Sequence, residues 1–431
     1  MTATALLRAS CALLLLLTFA ACDTGEGPSL FDPIEDGSYV SRVDPVLTKI
    51  SPDPGQALAG VTTLTLIGNN FSTSRDSTFV YFAGERQPIL SLSPTEITLK
   101  APNMPRPGIP VKVSVLRAEN FSQTINYELL PAVVRLDTEV PVNEVTRAVT
   151  VGPNGDVFFG RRSISAGVST PTGTIKVSDD NTTEVYNSSA QSYSDLEFFN
   201  GELLGVRGVA AVFAIPEGGT NTITRFIMSR FGAGGLNATA LDASGGALWV
   251  GGFGNAVLLR IASDGSGTTT PVQGEVVAIE ARADFLYAAM LIATSNPERP
   301  QSTIIRFPLT NGEISGASEV FFDITASYPN LQATSIAADA TGALFVGMQT
   351  VSKLPDPIQS NEIPLIRISS SGDSAAPFYP GLLRGITYGL EWVADGSPFL
   401  VVSGPRLVAD PESLSKESGL LRVNTSVEGE R

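Results

Sequence analysis

The sequence predicts an all-β chain: one β-sandwich followed by a closed ring of six four-stranded sheets. Two observations predict it. Between Pro45 and Leu130, short alternating strands are separated by Gly, Pro, Asn and Asp, with no helical periodicity. Beyond Pro131, one unit recurs six times: a turn, a short apolar strand, then a second strand carrying a basic residue among apolar neighbours. A third feature sets the compartment. The segment Met1–Ala21 has a basic residue, Arg8, then the apolar run Leu13–Leu17 and small residues before Cys22, which is the pattern of an export signal.

Phe19-Ala20-Ala21-Cys22 resembles the bacterial lipobox, with Phe19 in place of the usual leucine. The resemblance implies cleavage before Cys22 and a lipid on that cysteine. An ordinary secretory signal is the alternative. The other cysteine, Cys11, lies inside the signal, so the mature chain would form no intramolecular disulfide and depends on packing. Residues 22–44, rich in Gly, Asp, Glu, Pro and Ser, read as a flexible tether. Its acidic start at Asp23 and Glu26 resembles export tags of surface lipoproteins, while Asp23 by itself also resembles the inner-membrane retention signal of other bacteria. The localisation expected is therefore an exported lipoprotein, at the outer membrane or cell surface rather than the inner membrane.

Composition removes several function classes. A formal net charge of −15 over 431 residues argues against nucleic acid as a partner and against a polybasic membrane patch. With no histidine, there is no Ser-His-Asp triad, no Cys-His pair and no histidine metal ligand. Zinc is disfavoured because the mature body also lacks cysteine; a metal site would use oxygen ligands and favour calcium or magnesium. A monomer is expected.

In the first domain, residues 45–130, Leu64, Leu66 and Phe71 are placed toward a core, with Thr63 and Thr65 outward. Strands Phe79–Gly84, Ser93–Leu99 and Val111–Val115 follow. The opening Ile50-x-Pro52-x-x-Gly55 and the turn Gly68-x-Asn70-Phe71 resemble the IPT/TIG domain, an immunoglobulin-like sandwich; Val61 replaces a usual glycine. The resemblance implies a stalk or spacer, or an adhesion and glycan-associated module.

The six repeats of residues 131–426 start at Asn154–Gly160, Asn200–Val206, Ser244–Gly251, Ala283–Ala288, Thr341–Gly347 and Asp395–Val402. Their basic residues are Lys176, Arg225, Arg260, Arg306, Arg367 and Arg422. The spacing, roughly 35 to 60 residues, suits propeller blades with variable loops. In the third unit the four strands are placed at Ala238–Asp242, Ala247–Gly251, Val257–Ala262 and Thr268–Val272. The unpaired Val133–Leu136 is expected to complete the sixth blade and close the ring. The unit resembles the NHL, streptogramin-lyase and gluconolactonase group of six-bladed propellers, which implies architecture rather than activity.

An acidic residue recurs before the turns: Glu197, Asp242, Glu280, Asp339 and Glu391. Five carboxylates from five blades form a candidate calcium ring, with Asp195 and Asn237 as further oxygens. The favoured reading is turn capping through backbone amides. The gluconolactonase resemblance permits a calcium-dependent lactonase, but the innermost strand of the first blade, Ala148–Gly152, lacks the expected acid. Streptogramin lyases depend on histidine, which is absent. The basic residues read as salt bridges or snorkelling stems rather than an anion site. The aromatics Phe159, Trp249, Tyr287, Phe345 and Phe399 read as inter-blade core. Trp392, beside Glu391, is the aromatic placed for carbohydrate stacking. The function expected is an envelope or cell-surface lipoprotein that binds a protein or glycan partner through its propeller, with no evident catalytic set. The alternatives are a calcium-dependent lactonase-type hydrolase and a purely structural envelope component.

Overall fold

The computed structural model describes residues 41–136, 144–165, 168–254, 257–297, 299–351, 363–383, 385–394, 396–406 and 419–429. Cys11, Cys22, Asp395 and all of the tether except Ser41–Asp44 lie outside the described residues. The chain is all-β: an immunoglobulin-like sandwich followed by a six-bladed propeller.

The sandwich has two sheets. One runs Val46–Ser51, Thr63–Asn69, Glu96–Lys100, Ile89–Leu92; the other runs Ala57–Leu58, Ile125–Leu130, Arg106–Val115, Thr78–Phe82, Glu85–Gln87. Alternation decides which side chains enter: Leu64 and Leu66 are fully buried and Phe71 nearly so, while Thr63 is exposed. The turn marker has physical causes. Gly68 lies where a Cβ would fall 2.0 Å from the Val46 carbonyl oxygen, and Asn70 takes the left-handed conformation at φ 63°. Asp44 also accepts hydrogen bonds from the backbone and side chain of Asn120, both at 2.9 Å, and the Arg42 amide donates to the Arg117 carbonyl at 2.9 Å, so the sandwich's contacts include residues before Pro45.

Six sheets make the propeller. Blade one has Glu144–Val151 innermost, then Val157–Ser165, Val168–Val177 and Thr183–Asn187. Blades two to five have innermost strands Asp195–Phe199, Gly235–Leu241, Glu275–Ala281 and Leu331–Ala338. In blade six the order from inside is Gly389–Trp392, Phe399–Ser403, Leu420–Asn424, and the outer strand is Val133–Arg135. Val133 pairs with Val423 and Arg135 with Leu421, so the expected closure strand is where the sequence placed it. A second seam joins blade six to blade one, where Thr146 Oγ1 donates to the Gly404 carbonyl at 2.8 Å and Pro405–Arg406 pairs with Glu144–Val151.

The apolar strands are continuous rather than alternating because each blade is covered on both faces by its neighbours. In Ala247–Phe253 every residue but the last is buried. Six hydrophobic clusters result, one at each seam of the ring. Trp249 and Phe345 are core residues of this kind. In blade three the innermost strand begins at Gly235, three residues earlier than the alternation suggested, because a bulge between Leu236 and Ala238 breaks the period.

Candidate functional site

The five acidic residues do not share a register, which corrects the single ring drawn from the sequence. Counting rungs against the second strand, Glu197 lies opposite Leu204, Glu280 opposite Tyr287 and Glu391 opposite Val401. The same rung in the other blades holds Thr150, Ala240 and Ala337. Glutamates from blades two, four and six thus alternate with small residues from blades one, three and five.

Asp242 and Asp339 sit two residues farther along, at the turn. One Asp242 oxygen accepts from the Ser244 amide at 3.1 Å, the Ser244 hydroxyl at 2.7 Å and the Gly246 amide at 3.1 Å. Asp339 repeats this with Thr341 and Ala343. The other oxygen of each meets Arg260 or Arg367. These two are turn caps. Burial works against ionisation of Asp242, but the Ser244 hydroxyl and Arg260 together hold its pKa below the usual range.

The recurrent bases pair mostly within their own blade. Lys176 bridges Asp156 and Glu184 at 3.3 and 3.1 Å, Arg225 meets Glu202 at 2.8 Å, and Arg306 meets Glu319 at 2.5 Å. Arg260 alone among these reaches the next blade, to Glu313 at 2.9 Å.

Inside the channel, Asp195, Glu197, Glu280 and Glu391 line a small cavity of about 70 Å³. Innermost strands have no neighbour on the channel side, so some of their amides need another acceptor. Asp195 supplies one to Thr239 of blade three at 2.9 Å, and Glu280 supplies one to Ala338 of blade five at 3.2 Å. These carboxyls are half-buried and face the lumen, with protein packed closely around them. Burial pushes Asp195 up to about 7, against the amides of Thr239 and Leu196 and helped by Glu391. Burial, then Glu391, raises Glu280 well above the usual range.

This donor set does not favour calcium. Two of the acids are committed to main-chain amides, two others to turns, and among the described residues no three acidic side chains converge into a metal-holding group. Trp392 is also not a stacking platform: it is 1% exposed, edge-on to Phe345 at 5.6 Å, with Gly429 closing over it. A ring needs a free face to carry a sugar, and this one has none.

A larger recess of about 300 Å³ opens at the mouth, where the innermost strands begin. All six blades contribute to it, through residues including Arg147, Ser194, Asn237, Glu275, Thr334 and Tyr388. Phe253 and Gln349, at the ends of second strands, complete the rim. The Arg147 guanidinium sits 5.5 Å from the centre of the Tyr388 ring, and Asn237 Nδ2 donates to Glu275 at 2.7 Å. Burial raises Glu275, the Asn237 bond opposing it. Phe253 keeps 41% of its surface exposed. Of these residues the sequence singled out only Asn237. The others follow no repeated motif, since strand starts differ from blade to blade.

Residues 45–129 match the IPT/TIG domain family. No curated protein matches the chain in sequence. Among solved structures, an auxiliary nutrient binding protein from Bacteroides thetaiotaomicron is 9% identical, with 88% of this chain and 97% of that chain covered and a TM-score of 0.48. Regucalcin, a calcium-binding protein from Agrobacterium tumefaciens, is 17% identical over 68% and 94% of the two chains, at 0.48. A Bacteroides thetaiotaomicron protein of unknown function is 13% identical over 88% and 98%, at 0.45. Likeness at this level transfers no ligand and no residue role.

Proposed function

We propose that this chain is an exported bacterial lipoprotein, lipidated on Cys22 and held at the outer membrane or cell surface, that binds a protein or glycan partner at its propeller mouth. The TIG domain serves as its stalk or adhesion module. The mouth recess carries the binding reading. It is concave, built by all six blades, and combines an exposed aromatic with several convergent polar groups. The calcium-dependent hydrolase has less support, because four of its candidate ligands, Asp195, Glu280, Asp242 and Asp339, already hold main-chain amides or turns.

The test is a screen of glycans and envelope proteins against the soluble body from Ser41 onward. Tyr388→Ala and Phe253→Ala should each weaken a true mouth ligand about tenfold or more, with the melting temperature preserved for the exposed Phe253. Binding that ignores both changes would move the site off the mouth. The anchor is tested separately: Cys22→Ser should release the protein from membranes, and unchanged membrane partition would rule out the lipid.

A further inference from the structure

The mouth recess is electrically polarised. Neighbouring blades are in contact all round the ring, blade six against blade one included, so blade one faces blade four across the channel. Arg147 stands on the innermost strand of blade one and Glu275 at the start of that of blade four, and both line the recess. Among the described residues neither belongs to an ion pair.

Each pole is held ready. Arg147 lies over the Tyr388 ring, and its charge reaches Arg162, whose pKa is lowered by burial and then by Arg147. Across the mouth, Asn237 fixes one oxygen of Glu275 and leaves the other as an acceptor. Phe253 and Leu291 lie on the same rim and offer apolar surface. At about 300 Å³ the recess is at the small end of ligand pockets, which run from ~300 to 1,000 Å³.

We infer that the recess recognises the two free ends of a short peptide, a small zwitterion whose carboxylate meets Arg147 and whose ammonium meets Glu275, with a side chain against Phe253. The inference rests on the mouth being the binding site and names what enters it. A guanidinium pairs a carboxylate through two donors, and an ammonium needs an anionic acceptor. Matching both ends selects against ligands with only one charge.

Isothermal titration of the soluble body with glycylphenylalanine, its C-terminal amide and its N-acetyl form tests this, with a neutral oligosaccharide as the fourth probe. The free dipeptide should bind, and each blocked form should bind at least tenfold more weakly. Arg147→Gln should erase the difference between acid and amide only. Glu275→Gln, which keeps an acceptor for Asn237, should erase the difference between free and acetylated amine only. Equal binding of all three dipeptide forms, or no dipeptide binding by folded protein, overturns the zwitterion. Oligosaccharide binding lost in Phe253→Ala would in that event leave the mouth as a glycan site.

Discussion

Arg367 donates from Nε and a terminal nitrogen to one oxygen of Asp339, at 3.1 and 2.6 Å, while the other oxygen of that carboxylate holds the turn through Thr341 and Ala343. Asp339 is wholly buried, and Arg367 lies over the Phe345 ring at 5.7 Å. One side chain thus ties the turn, the third strand and the inter-blade core together.

Asp339→Ala should therefore cost about 3 kcal/mol, since it strands two amides, a hydroxyl and a half-buried cation together. Arg225→Ala in blade two removes an exposed pair with Glu202 and should cost under ~1 kcal/mol. Urea unfolding of the two variants measures the contrast. Equal costs would mean that the buried carboxylate is no special fastener.

Closure makes a second prediction. Leu136 donates its amide to Leu420 and buries its side chain with Val149, Val151 and Val401, where blade six meets blade one. Leu136→Ala should cost about 2–4 kcal/mol. Although it lies outside the repeats, it should loosen the ring as severely as a core leucine within one. Hydrogen exchange in blade six shows this directly: protection along Leu420–Asn424 should fall with the mutation.

How far the sequence was legible follows from the same residues. Blade strands announce themselves because burial on both faces demands unbroken apolar runs, as in Leu344–Thr350. Closure by Val133–Arg135 was legible as a leftover strand. The acidic positions were not, because turn length varies. Asn200-Gly201 makes a two-residue hairpin with both residues at positive φ, whereas Asp242 spans to Ala247. An acid just before a turn can therefore fall on a channel rung, as Glu197 does, or on the turn, as Asp242 does. The mouth was illegible for another reason: Arg147, Glu275 and Tyr388 come together only through ring closure.

Close backbone approach in blade three gives a third prediction. A Cβ on Gly252 would lie 1.9 Å from the Gly235 carbonyl oxygen, which no side-chain rotation relieves. Gly252→Ala should cost about 2 kcal/mol or more and displace the adjacent Phe253 from the mouth. Gly160 of blade one has open space around its missing Cβ, so Gly160→Ala should be neutral or slightly stabilising. Thermal melts of the pair settle the matter, and a harmless Gly252→Ala would contradict the bulge geometry.

The channel acids give the last prediction, on pH. Asp195 titrates near 7 in the folded protein, far above an unfolded aspartate. Between the two values the folded state holds a proton that the unfolded state has released, so stability falls as pH rises through this range. The raised Glu280 acts in the same direction. For Asp195 the effect is at most about 4 kcal/mol, reduced by water in the lumen. At the acid end Asp242, depressed by Ser244 and Arg260 against its burial, works the other way, contributing stability that is lost as pH drops through its folded value. The melting temperature should therefore be highest near the unfolded carboxylate values, about pH 4, and decline as pH rises toward 7. Asp195→Asn, which keeps one oxygen for the Thr239 amide, should flatten that decline while leaving the acid limb alone. If the decline between about pH 4 and 7 survives the substitution unchanged, Asp195 is not the group that carries it.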